Sequence, residues 1–402
     1  MTDTIRHSEY DAIIVGARCA GAATAMLLAR RGLRVLAVDR SPYGSDTLST
    51  HVLLRPALLQ LARWGLLERL AATDTPAVTN TIFHYGKRAV ELPMEGRDGV
   101  DALYSPRRTV LDPLLVDAAR EAGAEVCHGQ QLTGIVRDAS ARVSGVRLRA
   151  EDGTQLMVKS GVVIGADGRH STTARLLGSV VERSGEHASA SVYGYFEGLE
   201  LDATPTNHWF YRPEISVGLT PTGAGLGLLF VSAPAHQLRE ALRVDVRGAL
   251  HQGIAHGAPE LLPALRRATQ VGRLQGFGGQ PGFLRRSHGT GWALVGDAGY
   301  FKDPLTAHGI SDAFRDAELL AQAVAEGTDA ALTEYQATRD RVSENFFAIT
   351  DEIAACRWDL PRVSELHQQM SREIKRECDL LLELDPVPGP SDQPSSPALH
   401  AA

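Results

Sequence analysis

Residues 10–39 constrain the fold more than any other stretch. Tyr10 to Val15 reads YDAIIV, a short β-branched run ended by a glycine, which predicts a buried parallel strand. Gly16-Ala17-Arg18-Cys19-Ala20-Gly21 follows. AATAMLLARR then predicts a helix with small residues on one side, stopped by Gly32. Leu33 to Val38 predicts the next strand, which ends on Asp39. This is a βαβ unit with glycines at its first turn and an acid at the end of its second strand. A helix that starts where a strand ends aims unpaired N–H groups and a partial positive charge at an anion. Gly16 permits the tight turn, Gly21 lets the helix pack against the strands, and Asp39 can accept from a ribose hydroxyl. Arg18 stands where the usual pattern has its middle glycine. Two readings stay open: the side chain turns outward, or its guanidinium joins the phosphate site. On this motif alone, a purely structural strand-turn-helix is a third.

Two further strands are legible downstream. Val162-Val163-Ile164-Gly165 runs into Ala166-Asp167-Gly168, and Gly291 to Val295 runs into Gly296-Asp297. Between them, 188–232 holds four strand-like runs with turn glycines, which predict an antiparallel sheet. Residues 109–122, 235–267, 305–326 and 331–385 read as helical. The parallel strands are far apart in the chain, so the domain they build must be discontinuous. Its expected pieces are 1–78, 101–182 and 276–330, with an inserted sheet domain from 79–100 and 183–275. A helical segment at 331–385 and a Pro- and Ser-rich disordered tail at 386–402 complete the division.

Composition narrows the function. The chain has 402 residues, 44% hydrophobic, enough for a sizeable core. A formal net charge of -7 argues against a nucleic-acid partner, which needs surplus cations. No run of about 18 apolar residues exists, so no stable membrane association is expected. The first residues lack the apolar core of a secretory signal. Cys19, Cys127, Cys356 and Cys378 are scattered, with no CxxC pair and no zinc-like spacing, so a reduced, cytoplasmic chain without a metal is expected.

Val163-Ile164-Gly165-Ala166-Asp167-Gly168-Arg169 and Leu294-Val295-Gly296-Asp297-Ala298-Gly299, in that order after the glycine turn, resemble the flavin monooxygenase superfamily typified by p-hydroxybenzoate hydroxylase. The resemblance spans about residues 10–330. It is closer to one subgroup, through GARCAG at 16–21, DTLSTH at 46–51, GYFEGL at 194–199 and GDAGYFKDPLTAHGISDAFRDAE at 296–318. The implied fold is α/β: an FAD-binding Rossmann-like domain of the glutathione-reductase type, an inserted antiparallel β-sheet substrate domain and C-terminal helices.

The resemblance also implies site residues. Gly16, Ala17, Arg18, Ala20 and Gly21 would surround the FAD phosphates, and Asp39 and Arg40 its adenosine end. Arg108 resembles an arginine that contacts the phosphate or ribityl region, with Arg107 as its rival. Asp167 and Gly168 resemble a motif shared between FAD and NAD(P)H, and Asp297 would accept from a ribityl hydroxyl. Each aspartate has a helix N-cap as its alternative. Pro304 marks a bend, after which the amides near Gly309 and Ile310 would face the flavin pyrimidine edge, where the reduced ring is anionic. No general base is identified. His51, Lys302 and His308 are the catalytic candidates, against plain alternatives of a hydrogen-bonded structural histidine and a solvated surface lysine. Of Tyr193, Tyr195, Phe196, His208, Trp209, Phe210 and Tyr211, two or three are expected to line a substrate pocket and the rest to be core.

The implied activity is FAD-dependent and NADH- or NADPH-using. A C4a-hydroperoxyflavin formed with O2 hydroxylates an aromatic or electron-rich small molecule in a dry pocket. Prenyl-chain reduction, halogenation and non-catalytic flavin binding are the alternatives. Trp209-Phe210-Tyr211-Arg212-Pro213 matches neither the WxWxIP of halogenases nor the YxWxFP-like segment of prenyl reductases. A plain nicotinamide-dependent dehydrogenase would have no use for the late Gly-Asp motif. In-place reduction of FAD and reduction by a separate flavin reductase both stay open, as do substrate and oligomeric state.

Overall fold

Ile13 and Ile14 point to opposite faces of the strand Glu9–Val15, and both are fully buried. Burial on both faces is what a central parallel strand requires. In the computed structural model, which describes residues 5–389, this strand lies between Val35–Asp39 and Gln155–Gly165 and is parallel to both. Trp292–Leu294 adds beyond Gln155–Gly165, and Glu125–His128 beyond Val35–Asp39, both parallel. The first half of Gln155–Gly165 pairs antiparallel with Val143–Ala150, which forms a hairpin with Gln130–Arg137. The sequence reading did not anticipate these last two strands or Glu125–His128. Their charged and polar residues (QQLTGIVR, VSGVRLRA) blur the alternation that marks a strand.

The helix Cys19–Arg30 is buried along its whole length, packed between the sheet, Arg108–Glu121 and Gly309–Glu326. Its alanines let these elements approach closely, and a Cβ on Gly21 would collide with the Gly16 carbonyl oxygen.

The second sheet has seven strands in the order Thr269–Phe277, Ser189–Glu197, Leu226–Pro234, Ile215–Thr222, Thr206–Arg212, Asn80–Tyr85, Arg88–Pro93. The strands of 188–232 pair antiparallel as expected, and the whole sheet is mixed only because Thr206–Arg212 runs parallel to Asn80–Tyr85. The chain builds much of the first domain between these two strands, so no hairpin forces them antiparallel. One face carries Val192, Phe196, Phe210, Val217 and Val231, packed with Leu238, Leu250 and Ile254 of the helices Ala235–Val244 and Val246–Gly257. The other face carries Tyr193, Tyr195, Trp209, Tyr211 and Phe230.

Two expected helices are corrected. Residues 305–308 are not α-helical: Pro304–Thr306 is a 3-10 turn capped by the Asp303 side chain, Ala307 is left-handed at φ 52°, and the helix starts at Gly309. The 331–385 segment is two helices, Asp329–Ala354 and Leu360–Glu383, broken around Cys356 at φ 53°. Of the expected tail, 386–389 has no regular secondary structure, and 390–402 lies outside the described residues. Among the described residues no helix is long and apolar enough to cross a membrane.

Candidate active site

A cavity of about 670 Å³ lies where the parallel strands end, between them and the aromatic face of the second sheet. At its floor Gly16 sits at φ 104°, and a Cβ there would strike the Ala166 carbonyl oxygen, so the turn requires glycine. Cys19 and Ala20, the first residues of the following helix, line the floor beside it. Ala17 does not line the cavity. Its amide donates to Asp39 Oδ2 at 2.9 Å, while Ser41 N donates to Oδ1 at 2.7 Å. Asp39 therefore closes the phosphate-type turn with its own carboxylate as well as bordering the cavity, as Arg40 does.

Arg18 also borders the cavity, with its guanidinium held by protein partners. Its guanidinium donates to the Ser45 carbonyl at 3.2 Å, Ser45 Oγ at 3.1 Å and Asp112 Oδ2 at 3.0 Å, clamping the loop after the second strand. Arg108 donates to both oxygens of the same Asp112, at 2.9 and 3.0 Å, and the Cys19 thiol reaches it as well. Arg108 borders the cavity. Its rival Arg107 does not: it pairs with Asp46 at 3.1 Å and lies over the Tyr195 ring. Asp112 was missed in the sequence; its one signal is the i,i+4 spacing from Arg108.

Asp167 accepts from Ser171 Oγ and Thr173 N, so it holds the start of the short helix Thr172–Leu177, while Gly168 beside it is left-handed. Asp297 differs. Among the described residues nothing hydrogen-bonds its carboxylate, and burial, reinforced by the Asp312 charge, pushes its pKa up to about 6. Gln130 and Arg169 border the same cavity, and Gln130 Oε1 and Arg169 Nε are buried without a hydrogen-bond partner among the described residues. Buried polar groups left unsatisfied around one cavity mark a ligand-binding surface. FAD, which the resemblance implies, fits this set: a cavity of about 670 Å³ lined by the start of the helix Cys19–Arg30, by Asp297 with its carboxylate open to hydroxyl donors, and by Pro304, Gly309 and Ile310.

The three catalytic candidates separate. His51 is buried at φ 42°, its Nε2 lies 2.9 Å from Tyr195 Oη, and burial with the nearby Arg108 pushes its pKa down to about 3, so it is neutral. Lys302 is not a solvated surface lysine. It is buried at the cavity wall, its ammonium 2.5 Å from Asp312, 3.0 Å from His308 Nδ1 and 4.0 Å above the Phe346 ring. His308 caps the helix Gly309–Glu326 but lies behind the cavity wall, among Lys302, Asp312 and Glu377. His308, Asp312 and Glu377 are close enough together for a metal ion, but Lys302 and Arg315 already bind their carboxylates.

Of the seven named sheet residues, Tyr193 and Trp209 line the cavity, while Phe196 and Phe210 are core on the other face. Phe230, Phe277 and the pair Ser191 and Ser232, whose hydroxyls lie 2.6 Å apart, complete that wall and were not singled out beforehand. Ser191 shares the face of Tyr193 and Tyr195 by the two-residue alternation along the strand Ser189–Glu197, a spacing signal that could have found it.

A family model described as an FAD binding domain matches residues 9–350. Among curated proteins the chain is similar to a 1H-pyrrole-2-carbonyl-(peptidyl-carrier protein) brominase of Pseudoalteromonas luteoviolacea, at 24% identity over 80% of this chain and 78% of that one. It is also similar to a menaquinone reductase of Mycolicibacterium smegmatis, at 28% identity over 85% of this chain and 82% of that one. Among solved structures, the flavin-dependent brominase Bmp2 superposes with a TM-score of 0.79 at 20% identity, covering 92% of this chain and 93% of that one. PqsL of P. aeruginosa, solved with 2-aminobenzoylacetate, gives 0.74 at 24% identity, covering 90% of this chain and all (100%) of that one. At these identities the two structures speak for the fold.

Proposed function

The chain belongs to the FAD binding domain family and is an FAD-dependent oxidoreductase, and from that premise we propose that it is a monooxygenase that uses NADH or NADPH and hydroxylates a flat aromatic or electron-rich small molecule. The observation that carries this reading is the wall contributed by the second sheet. Ser191, Tyr193, Trp209, Phe230, Ser232 and Phe277 form a surface of rings and hydroxyls, with the Arg169 guanidinium of the first domain 5.3 Å over the Phe277 ring. Such a wall binds planar apolar surface and orients it through a few hydroxyl contacts.

Bound FAD would supply the redox chemistry, accepting electrons from the nicotinamide and passing them to dioxygen. The chain's own residues supply the rest. The start of the helix Cys19–Arg30 presents amides to the pyrophosphate, with Ala17 excluded because Asp39 takes its N–H. Asp297 accepts from sugar-chain hydroxyls. Gly309 and Ile310 present the amides of a second helix start to the electron-rich ring edge, stabilising negative charge there. The rings of Trp209, Phe230 and Phe277 keep water from the reacting atoms.

A second reading is favoured by named relatives. The menaquinone reductase at 28% identity and a digeranylgeranylglycerophospholipid reductase of Methanopyrus kandleri at 29% identity support reduction of an isoprenoid double bond in the same cavity. The test is NAD(P)H consumption against phenols, polyketide aromatics, indoles and prenylated quinones, with product mass. A gain of one oxygen (+16) supports hydroxylation; a gain of two hydrogens selects the reductase. Photoreduced protein exposed to substrate and O2 shows whether the chemistry proceeds when a separate flavin reductase is required.

A further inference from the structure

Beneath the first turn of the helix Gly309–Glu326 lies a buried cluster of charges. Lys302 enters from the loop after the late Gly-Asp motif, and Asp312 and Arg315 from the helix itself. Glu377 enters from the C-terminal helix Leu360–Glu383, which lies beyond the residues that the family model matches. All four, and His308 at their centre, are buried. Phe346 of the helix Asp329–Ala354 covers them, its ring centroid 4.2 Å from that of His308.

The surroundings of His308 are asymmetric in a useful way. Nδ1 has a donor on one side and an acceptor on the other: Lys302 Nζ at 3.0 Å and Asp312 Oδ1 at 3.2 Å. Nε2 lies 2.8 Å from Glu377 Oε2, off the ideal hydrogen-bond line. With Nε2 protonated toward Glu377, a neutral ring accepts an N–H from Lys302 at Nδ1. With both nitrogens protonated, Nδ1 donates to Asp312 instead. At Nδ1 both states find a partner with the heavy atoms where they stand, and at Nε2 the Glu377 carboxylate faces the proton in either state, which is what a reversible proton site needs.

We propose that His308 is a redox-linked proton site: when the cofactor in the adjoining cavity takes up two electrons and one proton, a second proton from solvent binds His308 Nδ1, and Glu377 is the positioning residue that holds the imidazolium. The proposal rests on the FAD reading above. The balance is simple. Two electrons from a hydride donor or dithionite, with one proton, leave one net negative charge in a buried site; the second proton cancels it. Lys302 links the two places, because it borders both the cavity and Nδ1. The groups that face His308 are Lys302, Asp312, Arg315 and Glu377, with Phe346 as the apolar cover. Burial and the Lys302 charge push its pKa down, Glu377 and Asp312 push it up, and the carboxylates prevail.

The experiment is a dye-equilibrated reductive titration of the FAD-loaded protein between about pH 7 and 9, with flavin content measured alongside. Each proton bound per two electrons changes the equilibrium constant tenfold per pH unit, about 30 mV. Two protons are expected in the wild type, about 60 mV per pH unit, and one in His308→Gln and at pH 8 in Glu377→Gln. Proton uptake by the wild type, read with an indicator dye in weak buffer, gives the same count without any variant: two per flavin supports the site. One proton in the wild type, or two retained in His308→Gln with full flavin content, overturns it while the FAD reading stands. A wild-type chain that binds no FAD overturns both.

Discussion

Trp209 and Tyr211 project from the same face of one strand, two residues apart, yet Trp209 borders the cavity and Tyr211 bears the C-terminal helix. Trp209 packs edge-on against Phe230, with centroids 5.4 Å apart. Tyr211 meets His367 at 4.5 Å and Trp358 at 6.1 Å. One strand thus joins the substrate wall to the last helix. Trp209→Ala should raise KM for the substrate about tenfold, the loss of one well-placed ring contact of roughly 1.4 kcal/mol, with FAD content unchanged. Steady-state kinetics with the substrate found by the panel check this; an unchanged KM would place substrate elsewhere.

Asp297 gives a pH signature. Its folded pKa is raised to about 6, so without ligand the proton is held up to that pH. Hydroxyl donors prefer the carboxylate. FAD affinity should therefore be flat above about pH 6 and fall below it, by up to tenfold per pH unit. Fluorescence titration of apoprotein with FAD measures this. Asp297→Asn should bind FAD more weakly and lose the pH dependence; the same slope in the variant would assign the titration to another group.

Gly16→Ala should cost about 2–4 kcal/mol through a strained φ and a backbone clash with Ala166, and should abolish FAD retention. Denaturant unfolding and the flavin absorbance of the purified protein report the two effects separately. Gly168→Ala, at φ 78° but with open space at the Cβ, should cost about 1–2 kcal/mol.

Lys302→Met should destabilise the chain by about 3–5 kcal/mol, because Asp312 would lose one of its buried partners. Lys302→Met with Asp312→Asn should recover part of that loss. A double-mutant cycle in urea reads the coupling, and strict additivity would show that the pair does not interact.

The parallel strands and the glycine turn were legible because burial on both faces leaves uninterrupted β-branched runs and because left-handed turns demand glycine. The hairpin at 130–150 was not, since one wet face carries arginines and glutamines. Arg18 was ambiguous for a different reason: its partners Ser45 and Asp112 are brought to it by the fold, and sequence order gives no hint of that. Lys302 and Glu377 show the same limit more sharply. A lysine in a polar loop reads as solvated until a carboxylate from the far end of the chain is seen to share its cluster. Asp297 was picked out by motif, but its lack of a protein donor emerges only in three dimensions.

Glu377 lies on the final helix, and Arg63 grips the carbonyls of Leu384 and Asp385 just after it. Emerging from a ribosome, the glycine turn appears early, and the underside of the helix Gly309–Glu326 is finished only after Leu360–Glu383 has followed. Every residue that lines the cavity is made by the time Ala313 is, but the charges beneath that helix are complete only with Glu377. Loading of the cofactor would then wait for the helix Leu360–Glu383 to be made, and chains stalled or clipped before it should collect as colourless protein.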